Sequence, residues 1–385
     1  MSRPPAVEAA LERAPANPTS SAAESTGALR GEIPARARAV YLLGPEELAL
    51  REVAVPRPGA GEMLVAIEAA TTCGTDLKVY RRGGHPRMLT VPGPFGHEMT
   101  GRVVAVGGAR SAAAQRFREG DAVVVANSAS CGRCPACTGG RENLCPGLAY
   151  LNGAYADYLL VPAPFVERST YLRPAGLAPE LAALAEPLAC VEHGLDRLGL
   201  AARDAARAPA RSVLVQGAGP LGQLFVAVLA EQGHQVTAAD PHALRLETAR
   251  RLGAAATIHI ERSWSDEFSS IERAFEIAID ATGTASGWST ALAATLPGGT
   301  TLFFGGCAPS DRIDLATFPI HYDELSLLGC YHHTPRSFRA AIARLEAARS
   351  DYRLLLTREE TLPNVESALR SMMDRRALKV VIRPA

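Results

Sequence analysis

The chain has 385 residues, 47% of them hydrophobic and 21% charged, a length that suits two or three domains of about 150 residues. Lys plus Arg and Asp plus Glu both number 40, so no net field is available to hold a polyanion, which argues against a nucleic-acid partner while leaving a local basic patch open. No apolar run approaches the roughly 20 residues needed to cross a bilayer, and the N-terminus lacks the compact apolar core of a secretory signal, so no membrane partner and a cytoplasmic location are expected.

Residues 1–37 carry little β-branched or aromatic content and include Pro4, Pro5, Pro15, Pro18 and Pro34. Such a segment buries too little surface to offset its ordering entropy, and it reads as a mostly disordered extension with a short helix over Val7–Arg13 left open. The acids Glu8, Glu12, Glu24 and Glu32 weaken a transit-peptide reading. From Ala39 onward, short strand-like runs broken by Gly and Pro follow: Met63–Ala69, Gly101–Gly107, Asp121–Ala126 and Tyr155–Val161. These describe a β-rich domain with irregular loops. After about Cys190 the rhythm changes. A strand at Val213–Val215 leads through a glycine turn to an apolar helix, Leu221–Glu231; the strand Gln235–Ala239 and the helix His242–Leu252 follow. Further strands are expected at Ala274–Asp280, Thr300–Gly305 and Leu325–Gly329, and this alternation implies a parallel sheet with helices on both faces. The tail reads as helical Ser337–Ala348, then Leu354–Thr357, helical Val365–Arg375, and a closing strand Lys379–Arg383.

The turn Gly217-Ala-Gly219-Pro220-Leu221-Gly222 has the spacing of a dinucleotide fingerprint. Alone that is weak, but here a strand precedes it, a helix follows it, and Asp240 ends the next strand. Gly217 permits the tight turn, Gly219 keeps side chains off the pyrophosphate, and Gly222 lets helix and strand approach. The helix N-terminus offers unpaired N–H groups to the phosphates. Asp240 suits the adenosine ribose hydroxyls and repels a 2′-phosphate, so NAD is expected over NADP, with His242 and Arg245 close enough to soften that choice. A solvated loop acid is the plainer reading of Asp240.

Eight cysteines are present, and four of them, Cys131, Cys134, Cys137 and Cys145, fall within fifteen residues. Four thiolates on one glycine-bearing loop suit closed tetrahedral zinc of a structural kind, with an iron–sulfur cluster as the alternative and disulfides disfavoured in a reducing compartment. Three further passages carry candidate ligands: Cys73-Gly-Thr75-Asp76, Gly96-His97-Glu98 and Glu186-Pro-Leu. Each has an ordinary explanation by itself, as a buried cysteine, a core histidine or a helix-capping acid.

Together, and in order from about Ala39 to Pro384, these motifs resemble the zinc-containing medium-chain alcohol dehydrogenase superfamily, and Glu186-Pro-Leu looks most like its polyol, sugar and threonine dehydrogenase branch. The resemblance implies a Rossmann doubly wound parallel sheet plus a GroES-like, partly open β-barrel catalytic domain. It implies a discontinuous division, with residues 38–190 and 337–385 in the catalytic domain and 191–336 in the Rossmann domain. By the same resemblance Cys73, His97 and Glu186 are ligands of a catalytic zinc, and Glu98 lies against the metal and binds it in some states. Asp76 orients the ligand histidine and Thr75 takes the alcohol proton. The implied reaction is hydride transfer between a secondary alcohol (polyol, sugar or hydroxy acid derivative) and NAD, with two zincs per chain, in a homodimer or homotetramer built at the sheet edge Leu325–Gly329.

One departure stands out. Many relatives end the proton relay at a histidine two residues after the Asp, and here that position is Lys78, a poor base at neutral pH unless burial lowers its pKa. With Arg81, Arg82, His85 and Arg87 it forms a basic stretch that is either a solvated loop or a place where one or two cations meet a carboxylate, a phosphate or sugar hydroxyls. His332 and His333 fall near the domain junction, where they either touch cofactor or substrate or form an interface or surface pair. Two other functions share parts of this text: a zinc-free quinone or enoyl reductase, and a zinc-stabilised binding module without catalysis. The ligand set and Thr75 count against them.

Overall fold

The computed structural model describes residues 33–108, 116–201, 209–268 and 273–384. The helix considered over Val7–Arg13, and the extension as far as residue 32, lie outside the described residues. No helix among the described residues is long and apolar enough to cross a membrane.

The first half is antiparallel. Strands β1 (Arg36–Gly44) and β2 (Glu47–Ala54) form a hairpin, and β3 (Met63–Thr71) runs into helix α1 (Gly74–Arg82). β4 (Gly93–Pro94) pairs with β1, β5 (Glu98–Val106) lies against β3, and β6 (Ala122–Val125) extends that sheet. The two-residue strands β7 (Ser128–Ala129) and β8 (Ala149–Tyr150) bracket the cysteine loop, and β9 (Tyr158–Val161) and β10 (Thr170–Leu172) complete the half. β3 reads as a nearly unbroken apolar run because it is sandwiched at the centre of its sheet, with Met63, Leu64, Val65, Ala69 and Ala70 fully buried.

Helix α2 (Ala185–Arg197) leads to the second half, whose strands are β11 (Ser212–Gln216), β12 (Gln235–Asp240), β13 (Ala256–His259), β14 (Phe275–Asp280), β15 (Thr295–Phe303) and β16 (Ser326–Gly329). All pairings are parallel, in the order β13-β12-β11-β14-β15-β16. This is the doubly wound order, whose reversal between β11 and β14 opens a crevice at the carboxyl ends of the strands. Helices α3 (Pro220–Glu231), α4 (Ala243–Arg251), α5 (Ala285–Ala293) and α6 (Thr317–Tyr322) connect them. After helix α7 (Pro335–Ala347) the chain returns to the first sheet: β17 (Leu356–Thr361), helix α8 (Val365–Met373) and β18 (Lys379–Arg383), which pairs with β3. The α/β class, with a Rossmann sheet and a second β-rich unit, is therefore the observed one.

Three local differences have physical causes. β15 starts at Thr295, not Thr300: Pro297-Gly298-Gly299 reads as a turn, but the strand absorbs it through a register shift beside Phe275 and Ile277. Helix α2 runs unbroken through the division expected between residues 190 and 191. The basic stretch is not one loop, since Lys78, Arg81 and Arg82 sit on α1 while His85 and Arg87 follow it.

Candidate active site and metal centres

Cys131, Cys134, Cys137 and Cys145 converge in the loop between β7 and β8. Their sulfurs stand 3.4 Å (Cys134–Cys137), 3.8 Å (Cys134–Cys145) and 3.9 Å (Cys131–Cys137) apart. Four thiolates about 2.3 Å from one tetrahedral ion must lie about 3.8 Å from each other, so the lobe has the dimensions of a single closed zinc site. Sulfurs this close do not span the corners of an iron–sulfur cube. Backbone N–H groups of Arg133 and Cys134 pull the Cys131 thiol down to about 6, toward the thiolate a metal requires.

The second cluster is assembled from strand ends. Cys73 caps the N-terminus of α1 just beyond β3: its Sγ accepts from the Thr75 N–H, while Asp76 Oδ2 accepts from the Cys73 N–H at 3.0 Å. Glu98 opens β5 opposite Thr71 in register, and His97 immediately precedes the strand. One ligand atom from each of Cys73, His97 and Glu98 lies within 4.8 Å of the others, and all three residues are buried. His97 Nδ1 is held by Asp76 Oδ1 at 2.9 Å, so Nε2 is the nitrogen left for a metal. Burial alone would raise the Asp76 carboxyl, but His97, Tyr155 and the Cys73 N–H hold it below its ordinary value. The Tyr155 hydroxyl donates to Asp76 at 2.6 Å, fixing the acid from its other side.

Glu98 has a partner that motif reading missed. Lys379, at the start of β18, is 1% exposed and places Nζ 2.8 Å from Oε1 and 2.5 Å from Oε2 of Glu98, itself fully buried. Nζ also donates to the Thr72 carbonyl at 2.6 Å, and the Thr71 hydroxyl donates to Glu98. No spacing signal links Lys379 to Glu98; only the pairing of β18 with β3 and of β3 with β5 joins them.

Glu186, in the first turn of α2, groups with His332 and His333 rather than with the Cys73 trio; its Oε1 is 3.8 Å from His333 Nε2. Burial pushes its carboxyl up to about 7, with His97 opposing the rise and Glu98 adding to it. His333 also meets Asn127 Oδ1 at 3.0 Å, and His332 meets Ser128 Oγ at 2.7 Å. His333 is thus buried, and His332 beside it is partly so. Lys78 reaches across to donate to the Gly306 carbonyl, just past β15, at 3.3 Å. Thr75 sits beside Cys73, half-buried.

At the carboxyl end of β11, Gly217 adopts φ +91°. A Cβ on Gly222 would lie 1.8 Å from the Gly217 carbonyl oxygen, whereas a Cβ on Gly219 would meet nothing within 4 Å. That combination is a close helix–strand contact beside an open face, the cradle a pyrophosphate needs, with Pro220 and Leu221 starting α3. Asp240 is buried at the end of β12; its oxygens accept from the Ala218 and His242 N–H groups at 2.9 and 2.8 Å, and Arg245 Nη1 stands 3.6 Å away. Asp240 is therefore a structural acceptor of the turn itself, not a solvated loop acid.

Residues 59–169 match the alcohol dehydrogenase GroES-like domain family, and residues 179–383 match the glucose dehydrogenase C-terminus family. The chain is 36% identical over 304 residues (77% of it, 84% of the relative) to D-altritol 5-dehydrogenase of Agrobacterium fabrum. It is 31% identical over 314 residues (79% and 85%) to L-galactonate-5-dehydrogenase of Escherichia coli. Among solved structures, a zinc-binding dehydrogenase fold from Sinorhizobium meliloti bound to NADP aligns with a TM-score of 0.81 at 27% identity, covering 91% of this chain and 100% of that one. A structure described as a short chain alcohol dehydrogenase, from Escherichia coli CFT073 and complexed with NADH, aligns at 0.78 and 26%, covering 91% and 100%. With a family model spanning over half the chain and a relative above one-third identity, the chain belongs to the zinc-containing medium-chain alcohol dehydrogenase superfamily and is a zinc-dependent alcohol or polyol oxidoreductase using a nicotinamide dinucleotide.

Proposed function

We propose that this chain transfers hydride between a secondary hydroxyl of a polyol, sugar or hydroxy acid derivative and NAD, at a site between residues 38–190 plus 337–385 and the Rossmann unit 191–336. The observation that carries this reading is the buried trio Cys73, His97 and Glu98 with Asp76 locking His97. The relatives named for D-altritol and L-galactonate support a polyhydroxylated substrate.

In this reading Cys73, His97 and Glu186 hold a catalytic zinc, and Cys131, Cys134, Cys137 and Cys145 hold a structural one. Bound there, zinc supplies Lewis acidity to the substrate oxygen and the nicotinamide ring accepts hydride. Lys379 neutralises Glu98 and holds it as a reserve ligand rather than a permanent one. Asp76 fixes the tautomer and ring orientation of His97. Thr75 receives the alcohol proton. Lys78 is not the base that ends the relay: its ammonium is engaged with the Gly306 carbonyl at the carboxyl end of the sheet, a position suited to a cofactor contact.

Gly217, Gly219, Pro220, Leu221 and Gly222 cradle the pyrophosphate, and Asp240 faces the ribose with Arg245 beside it. The carboxylate favours NAD; Arg245, by offsetting that charge, narrows the margin over NADP. The assembly is a homodimer or homotetramer built on the outer edge of β16. None of the eight cysteines is joined in a disulfide, in keeping with the cytoplasmic location proposed for the chain.

The test is metal analysis together with dinucleotide kinetics on an alcohol panel. Two zincs per chain and higher kcat/KM with NAD than NADP are expected, with activity lost in Cys73→Ala and His97→Ala. One zinc per chain and no turnover of any alcohol would sink the reading.

A further inference from the structure

Four side chains beyond Glu186 converge, and the hydride-transfer chemistry uses none of them. Tyr331 and His332 follow β16, at the carboxyl end of the parallel sheet, where open α/β sheets bind their ligands. Tyr150, on β8, meets Tyr331 hydroxyl to hydroxyl at 2.6 Å. The His332 ring lies 5.6 Å from the Tyr150 ring and 5.8 Å from the Tyr331 ring. The guanidinium of Arg87 sits 5.9 Å from the centre of the Tyr331 ring. His332 has φ +58°, a left-handed conformation uncommon outside glycine and one that gathers at ligand sites. The next residue, His333, is the one in contact with Glu186. One continuous wall therefore runs from the proposed zinc ligand Glu186, past the histidines and the paired tyrosines, to a cation at its end.

That cation is placed for a ligand rather than for a partner within the fold. Arg87 is exposed, and no carboxylate among the described residues forms an ion pair with its guanidinium. The guanidinium keeps a cation–π contact with the Tyr331 ring, and none of its N–H groups donates to a neighbour among the described residues, which leaves the fork open for bidentate carboxylate recognition. Arg81 and Arg82, by contrast, lie in the last exposed turn of α1. A single guanidinium balances one negative charge. A phosphate dianion would leave its second charge unbalanced at this guanidinium, so a monocarboxylate is the better match. The hydroxyls of Tyr150 and Tyr331 and the ring of His332 offer polar contacts to the hydroxyls between the two ends of such a molecule.

We propose that Arg87, seated on Tyr331, binds the terminal carboxylate of the substrate, so that the substrate class is a polyhydroxylated monocarboxylate of the aldonate kind rather than a neutral polyol. This assignment rests on the alcohol-dehydrogenase reading above and narrows it.

The experiment uses the full-length chain loaded with zinc and NAD, and compares aldonates with the parent alditols of the same carbon number. In the unaltered chain, kcat/KM is higher for the aldonate. Arg87→Gln lowers the aldonate-to-alditol ratio of kcat/KM about tenfold to a hundredfold, the loss expected for one charge-assisted, bidentate contact, and the change falls in KM. Arg87→Lys recovers part of the ratio, and Arg81→Gln leaves it as it was. An unchanged ratio in Arg87→Gln overturns the proposal, as does a preference of the unaltered chain for alditols or for phosphorylated sugars. If no alcohol of any kind is oxidised, the functional reading itself has failed. Calorimetric titration of a six-carbon aldonate into the same loaded protein then decides the Arg87 assignment: binding weakened by Arg87→Gln supports it, and binding that is absent or indifferent to the substitution overturns it.

Discussion

Lys379 opens the last strand of the chain, more than 280 positions from the acid it pairs with, and it is among the largest fully buried side chains in the molecule. Burial opposes its ammonium, yet Glu98 and Cys73 hold its pKa above the ordinary lysine value. A buried pair of this kind adds little net stability over a well-packed apolar pair, but removing one member strands the other charge. Lys379→Met is therefore expected to cost about 3–5 kcal/mol, read from urea denaturation of the zinc-loaded protein. Adding Glu98→Gln to it should recover much of that loss. If the double variant is no more stable than Lys379→Met alone, the pair is not what holds Lys379 in place. Cys73, His97, Asp76 and Glu98 were legible because each sits in a short local motif. Lys379, and the grouping of Glu186 with His332 and His333, were not, because both arise from strand and helix placement across hundreds of residues and carry no spacing signal.

At the scale of elements, the β11–α3 turn was readable in full, since strand, glycines and helix are contiguous. Helix α1 was not. Its N-cap is Cys73, a residue outside the usual capping set, although Asp76 three positions on completes the reciprocal capping pair. The cap explains why the chain turns there: the sulfur proposed as a metal ligand also satisfies the Thr75 N–H. The glycine turn separates two roles that spacing alone merges. At Gly219, φ is −69° and nothing lies within 4 Å of an added Cβ, so Gly219→Ala should fold with a stability change within about 0.5 kcal/mol. The new methyl would face the pyrophosphate, and the Kd for NAD should rise about tenfold or more, measured by fluorescence titration. Gly222→Ala should behave in the opposite sense. With its Cβ 1.8 Å from the Gly217 oxygen, α3 must shift, at a cost of about 1–3 kcal/mol in the melting of the unliganded protein. Equal melting of the two variants would show that the turn is not as tightly packed as its geometry indicates.

For the whole molecule, the discontinuous path of the chain is what builds the site. The return of β18 to the first sheet delivers Lys379, and the passage from β16 to α7 delivers the two histidines to Glu186. The alternation of strands and helices made the parallel sheet legible; its edge was expected only from the family resemblance, and β16 does have a neighbour on one side only. What covers that edge was not legible. Helix α6 precedes β16 and presents Phe318 and Tyr322, 65% and 67% exposed, with Leu315 at 45% just before it. Two aromatic rings packed 4.5 Å apart on the surface, beside an open strand, form a patch that a single soluble chain does not ordinarily leave to water. A second copy covering it through a two-fold axis would bury the apolar rings and continue hydrogen bonding across the sheet edge at once. Phe318→Asp with Tyr322→Asp should therefore convert the proposed assembly to monomers in sedimentation velocity. Neither side chain is buried in the fold, so monomer melting should be little changed. An unaltered chain that already sediments as a monomer at micromolar concentration would remove the basis for the dimer. A double variant that keeps its assembly would move the interface elsewhere.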